Sequence, residues 1–295
     1  IGGASMGLNI VFGIDTTTAA AISGILGILL FASPKMGGVL DNTAKVLGTV
    51  MLVLIGYVAF STNPPVAEAV THAIVPTNYP WLATITLIGG TVGGYITFSG
   101  GHRLIDAGIT GREHLKDVRR AAFMGMSVDA IVRILLFLAV LGVVSMGFAL
   151  DPKDPAGSAF LLGAGEIGHK LFGIVFFCAA LTSVVGAAYT SVSFLKTLFK
   201  VVERYEKLTI MAFIFVSTCI LIFIGKPATL LIVAGSVNGL ILPVTLAVML
   251  LATRKTNIVG DYKHNPILFY TGWIVVLVTA YIGVTSLQGI AKLLG

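Results

Sequence analysis

The chain has 295 residues, of which 56% are hydrophobic and only 11% charged, with a formal net charge of +6. A soluble domain carries about 25% charged residues, so this composition excludes an ordinary globular domain. The basic excess sits in short loops between apolar runs, which argues against a nucleic-acid-binding surface.

Apolar runs of about 20 residues, each enough to span a hydrocarbon core, recur from end to end. They are continuous and do not alternate, so a β-barrel does not fit. The reading is an all-α polytopic membrane protein, with a mean hydropathy of +0.98. Residues 1–12 read as the stub of a helix, and the start at Ile1 predicts that a further N-terminal part precedes it. Eight transmembrane helices are then predicted, near 16–32, 43–61, 81–101, 121–148, 168–195, 208–225, 228–252 and 267–290. Asn63-Pro64-Pro65 and Pro76 break the chain after the second span, and Asp151-Pro152 and Asp154-Pro155 after the fourth. No soluble domain or low-complexity linker interrupts the series, so residues 1–295 are expected to form a single transmembrane domain. Cys178 and Cys219 lie inside apolar runs and read as small buried hydrophobes.

Charge sets the orientation. Most of the 19 basic residues fall in one set of alternating loops: Lys35 and Lys45; Arg103, Arg112, Lys116, Arg119 and Arg120; Lys196, Lys200, Arg204 and Lys207; Arg254, Lys255 and Lys263. The opposite side holds Lys153, Lys170, Lys226 and Lys292. The first set is cytoplasmic by the positive-inside rule.

The stretch IGGTVGGYITFSGGH, residues 88–102, places six glycines in a segment expected to cross the bilayer. Gly89/Gly93 and Gly90/Gly94 are spaced for close helix packing. Three adjacent glycine pairs loosen both faces, which points further, to an interrupted helix. Unwound backbone at membrane depth is tolerated where it is buried or lines a cavity, and secondary transporters use such breaks to face a substrate. Gly90, Gly93, Gly94, Tyr95 and Thr97 are the candidate substrate-binding residues here. Gly235, Ser236, Asn238 and Gly239, followed by Leu242-Pro243, mark a second loosened span, and the first three join the candidate site. Asp129 and Arg133 are four apart and predicted to pair on one helix face; with His102 and Arg103 they are candidates for coupling or gating. Thr182, Ser183 and Thr190 are expected to bond their own backbone carbonyls. The histidines His72, His102, His114, His169 and His264 are scattered, so a membrane-embedded enzyme is not expected. Neither is a cofactor.

GGTVGGYITFSGGH with its following basic loop, FLLGAGEIGHKLFGIVFFCAALTSVVGAAYTS, and NGLILPVTLAVMLLATRKTNIVGDYKHNP together resemble the NRAMP family of divalent-metal transporters. The resemblance covers essentially the whole chain. It implies a LeuT-type fold of two inverted five-span repeats with interrupted first and sixth helices. It places 88–102 at the sixth helix and implies that the first three spans of the family precede this chain. It also exposes a departure. Where the family's sixth helix carries Met, Pro and His, this chain reads Gly93, Gly94 and Tyr95; a later His reads Gly100, and a Gln of the tenth span aligns with Gly235. The soft and nitrogen donors that favour transition metals are therefore missing. What the resemblance implies is a secondary transporter in a bacterial inner membrane, moving a divalent cation without the usual transition-metal ligands. The alternative is a small organic acid or amino-acid-like solute, held at half-helix N-termini with His102 and Arg103 nearby. The partners expected are the lipid bilayer and the solute.

Overall fold

The structure is a computed structural model describing residues 1–294; the side chains of 34–41, 44, 94–99 and 288–294 are not part of the description. In chain order the helices are α1 (Gly2–Phe12), α2 (Thr16–Ala32), α3 (Pro34–Ser61), α4 (Val66–Ile74), α5 (Trp81–Thr91), α6 (Gly94–Asp106), α7 (Leu115–Ser145), α8 (Pro155–Lys196), α9 (Lys200–Arg204), α10 (Glu206–Ile224), α11 (Pro227–Ala252), α12 (Thr256–Val259) and α13 (Pro266–Leu294). The predicted all-α architecture is therefore observed.

Among the described residues, α7, α8, α10, α11 and α13 are each long and apolar enough to cross a membrane. Two bent pairs bring the total to seven: α1 with α2, at 118°, and the later part of α3 with α4, at 101°. Local chemistry accounts for both bends. α1 stops at Gly13, in the left-handed region, and Asp15 then caps α2 by accepting a hydrogen bond from Thr18 N at 3.0 Å. After α3, Asn63 takes a φ of 45° and Pro64-Pro65 supply no N–H to continue the helix.

The count differs from the expected eight because the span predicted at 81–101 is not one helix. It is α5 and α6, separated at Val92 and Gly93. Gly93 has a φ of 64°, a left-handed conformation that L side chains adopt only at a cost. The interruption expected from the glycine pattern is present, and Gly93 is its pivot.

α8 brought a second difference. The expected span 168–195 is only its latter part. Gly165, at φ 67° and ψ −170°, breaks the helix in a conformation essentially reserved for glycine. The chain folds back there, stacking Phe160 on Phe172 with centroids 4.5 Å apart. Along a straight helix, twelve residues would separate them by roughly 18 Å. The same reversal brings His169 Nε2 to 3.9 Å from Asp154 Oδ2, the residue that caps the helix N-terminus through Gly157 N.

The chain divides into two compact units, residues 1–77 with 104–228, and 78–103 with 229–295. The first is built on Leu54, Ile55, Val58 and Ala59 of α3, Ala139 and Val143 of α7, and Phe160 and Phe172 of α8. A second cluster joins Ala188 and Val192 of α8 to Ile210 and Ile214 of α10. In the second unit α5 packs against α13, where Trp81 meets Tyr281 edge-on with centroids 5.6 Å apart. Large apolar side chains such as Phe60, Phe137 and Phe223 remain exposed, as they would on a surface solvated by lipid.

Candidate functional site

The site is built in the second unit, around the break between α5 and α6. Helix α5 is only 11 residues long. Its last carbonyls lack the usual partners four residues on, because the helix ends. Val92 N closes the turn to Ile88 O at 2.9 Å. The next carbonyl, that of Gly89, accepts a hydrogen bond from Asn238 Nδ2 of α11 at 2.9 Å. One turn earlier, the hydroxyls of Thr86 and Ser236 lie 2.7 Å apart. Each also lies within hydrogen-bonding distance of a carbonyl on its own helix, Leu82 O for Thr86 and Ile232 O for Ser236. A hydroxyl has one proton, so one of the two donates across the helices while the other bonds its own backbone.

Backbone contact makes these bonds possible. A Cβ on Gly89 would overlap Gly235 O and Gly239 N. A Cβ on Gly235 would come within 3.0 Å of Thr86 O, and one on Gly239 within 2.9 Å of Ile85 Cγ1. The two helices thus touch main chain to main chain, as small-residue interfaces in membranes do.

The predicted residues sort themselves accordingly. Gly235, Ser236 and Asn238 all meet α5, and Ser236 is fully buried. Gly93 is buried at the break itself. Gly90 points the other way: it is exposed, and a Cβ there would meet nothing within 4 Å. Gly94 opens α6, and the side chains of Tyr95 and Thr97 lie outside the description. His102 and Arg103 occupy the last part of α6, half-buried and exposed respectively. Asp129 and Arg133 form the expected pair, Arg133 Nε donating to Asp129 Oδ2 at 2.7 Å. Their side chains are 48% and 38% exposed, and they belong to the first unit, whereas the break belongs to the second. Thr182, Ser183 and Thr190 each donate to a carbonyl of their own helix, as expected.

One residue of the site, Thr86, escaped the sequence reading. Gly89 was read there as a close-packing glycine and Gly239 as part of the second loosened span, and the structure places both at the contact between α5 and α11. A second polar cluster was missed altogether. Ser193 Oγ donates to Asp106 Oδ2 at 2.6 Å, Tyr189 OH stands 3.4 Å from the same oxygen, and Lys196 lies between Asp106, at 4.0 Å, and Glu206, at 3.1 Å. It ties the end of α6 to α8 and to the start of α10.

Beside the break lies a cavity of about 310 Å³, lined by Ile88, Val92, Leu242, Leu246, Met249 and Val275. Thr245 and Thr279 also border it, but their hydroxyls bond carbonyls of their own helices. Its chemistry is apolar. Among the described residues no three His, Cys, Asp or Glu side chains come together as a metal-binding group. The oxygens placed beside the break include the Gly89 carbonyl, the hydroxyls of Thr86 and Ser236 and the side-chain amide of Asn238.

The model of the family described as natural resistance-associated macrophage protein-like, Nramp, matches residues 1–288. The chain belongs to the Nramp family. Membership implies the LeuT-type fold, and the break at Gly93 falls where the family's sixth helix is interrupted on the mapping above. Among relatives, an "Uncharacterized membrane protein YcsG" of Bacillus subtilis (strain 168) is 49% identical over 287 residues, covering 97% of this chain and 71% of that protein. An "Uncharacterized membrane protein" of Haemophilus influenzae is 49% identical over 280 residues, covering 95% of this chain and 70% of that one. This Nramp chain is an integral membrane protein.

Proposed function

We propose that this Nramp-family chain is a secondary transporter, a single transport domain in the bacterial inner membrane, and that its substrate is a divalent cation bound without soft or nitrogen ligands. The observation that carries the reading is the interruption at Val92 and Gly93, braced by the hydrogen bond from Asn238 to the Gly89 carbonyl. A break held this way keeps main-chain groups at a fixed place within the membrane, which is how discontinuous helices serve substrates. The donors at hand are hard oxygens. They suit a cation that retains part of its water, such as Mg or Ca, rather than one chosen by thioether or imidazole.

The test is ion flux through the full-length protein in proteoliposomes loaded with a divalent-sensitive dye. A Gly93→Ala variant, which must place a Cβ at a φ of 64°, should lose most of the flux while remaining monodisperse. Undiminished flux in that variant would remove the break from the mechanism.

The apolar cavity favours a second reading. A surface of Ile88, Val92, Leu242 and Met249 would accept the hydrocarbon part of a small organic acid or amino-acid-like solute. Half-helix N-termini would attract its carboxylate. Uptake of such a solute with no divalent flux would select this reading.

A further inference from the structure

The junction between α11 and α13 carries a feature that the transport reading does not use. After Ala252 the chain makes the short helix α12, turns at Gly260 and enters α13 at Pro266. A cavity of about 340 Å³ opens at this junction, lined among others by Thr253, Arg254, Tyr262, Lys263, His264 and Tyr270. Arg254 is held in place by its guanidinium over the Phe269 ring, 4.1 Å from the centroid. That contact leaves the planar N–H fork oriented but does not neutralise it. Between Thr253 and Asn265, Arg254, Lys255 and Lys263 outnumber the one acidic residue, Asp261.

His264 adds an independent observation. Its Nδ1 lies 3.5 Å from Tyr262 OH, while its Nε2 is buried with no hydrogen-bond partner among the described residues. A buried ring nitrogen without a protein partner is unfavourable, and native structures satisfy such groups with ordered water or a bound ion. Where Nδ1 accepts from the tyrosine, Nε2 carries the proton and needs an acceptor. Arg254, Lys263 and His264 line one cavity, and N–H donors of this kind suit an anion with several oxygens.

We propose that this cavity is a binding site for a phosphate group, presented either by an anionic phospholipid headgroup or as free phosphate. The loop is on the cytoplasmic side by its basic residues. Basic pockets at the ends of membrane helices on that side take anionic headgroups, and Tyr262 and Tyr270 are the amphipathic residues typical of the headgroup layer.

The experiment uses the purified full-length protein and two probes. One is inorganic phosphate, titrated in thermal unfolding against a chloride control at equal ionic strength. The other is phosphatidylglycerol, counted by native mass spectrometry in competition with phosphatidylcholine. An R254Q/K263Q variant should weaken binding of the responding probe by about fivefold for each charge removed. His264→Gln, a milder change for use should the double variant not fold, should weaken it measurably too. K200Q/R204Q removes the same charge from a loop that does not line the cavity and should leave binding within about twofold of the parent. Retention of phosphatidylglycerol without a phosphate response identifies a headgroup; a phosphate response without lipid retention identifies free phosphate; both support the site. Binding of neither probe, or equal weakening by K200Q/R204Q, overturns it.

Discussion

Asn238 and Gly89, 149 residues apart, are joined by a hydrogen bond of 2.9 Å from a side-chain amide to a helix-terminal carbonyl. The bond answers the problem that a broken helix creates in a bilayer, where water is not at hand to satisfy the freed backbone. It makes α11 the support on which the α5 half of the interrupted segment rests.

Asn238→Ala should therefore destabilise the protein by about 0.6–2 kcal/mol, the range of an interhelical polar contact in a membrane. Thermal unfolding in detergent reads this directly. A melting temperature equal to the parent's would mean that the carbonyl finds another donor.

Two adjacent glycines should behave oppositely. Gly89→Ala drives a methyl into the backbone of Gly235 and Gly239 and must push α5 off α11. Gly90→Ala meets open space and gains helix propensity, a stabilisation of about 0.4–1 kcal/mol in a soluble helix. A loss of folded yield for the first with a neutral or improved second checks the packing. Equal effects would contradict it.

For Asp129 and Arg133, double-mutant analysis is the measurement. Removing one partner strands a charge on α7, so Asp129→Ala or Arg133→Leu should each lower the melting temperature more than the two together. The pair is nearly half exposed, which moderates the effect where water reaches it. A double variant destabilised by the sum of the two single effects would show that the pairing contributes nothing.

The orientation rests on charge and can be tested chemically. Cysteines placed at Arg112, ahead of α7, and at Ala156, in the first turn of α8, should react with an impermeant thiol reagent from opposite faces of oriented vesicles, Arg112 from the cytoplasmic one. Labelling of both from one face would overturn the span assigned to α7.

Helices were legible because continuous apolar runs leave few alternatives, and 16–32 and 228–252 correspond to α2 and α11 within a few residues. The interruption in 88–102 was legible from its glycines, but not its position, since six glycines offered several pivots and a φ of 64° at one of them is a tertiary outcome. The reversal at Gly165 was hidden by a run, FLLGAGEIGHK, with no proline and an unbroken apolar flank. What holds it is Phe160 against Phe172, a contact that exists only after the chain has folded back. Within the site, Gly235, Ser236 and Asn238 stood out as polar or small residues in an apolar span. Gly89 was legible as a close-packing glycine, but Thr86 was not, because nothing local announces a contact across 150 residues. Gly93→Met, the change that would restore the family's thioether, asks a long side chain to occupy a left-handed position and should cost about 1–2 kcal/mol before any metal is bound.

The central claim is that this Nramp chain moves a divalent cation through hard oxygen donors. Initial uptake rates of Mn, Mg and Ca into proteoliposomes containing the full-length protein, measured singly and in competition, test it most directly. The account predicts weak or absent Mn uptake, with Mg or Ca entering at least as readily and suppressing whatever Mn enters when in excess. Robust, saturable Mn uptake that excess Mg and Ca do not compete would contradict it.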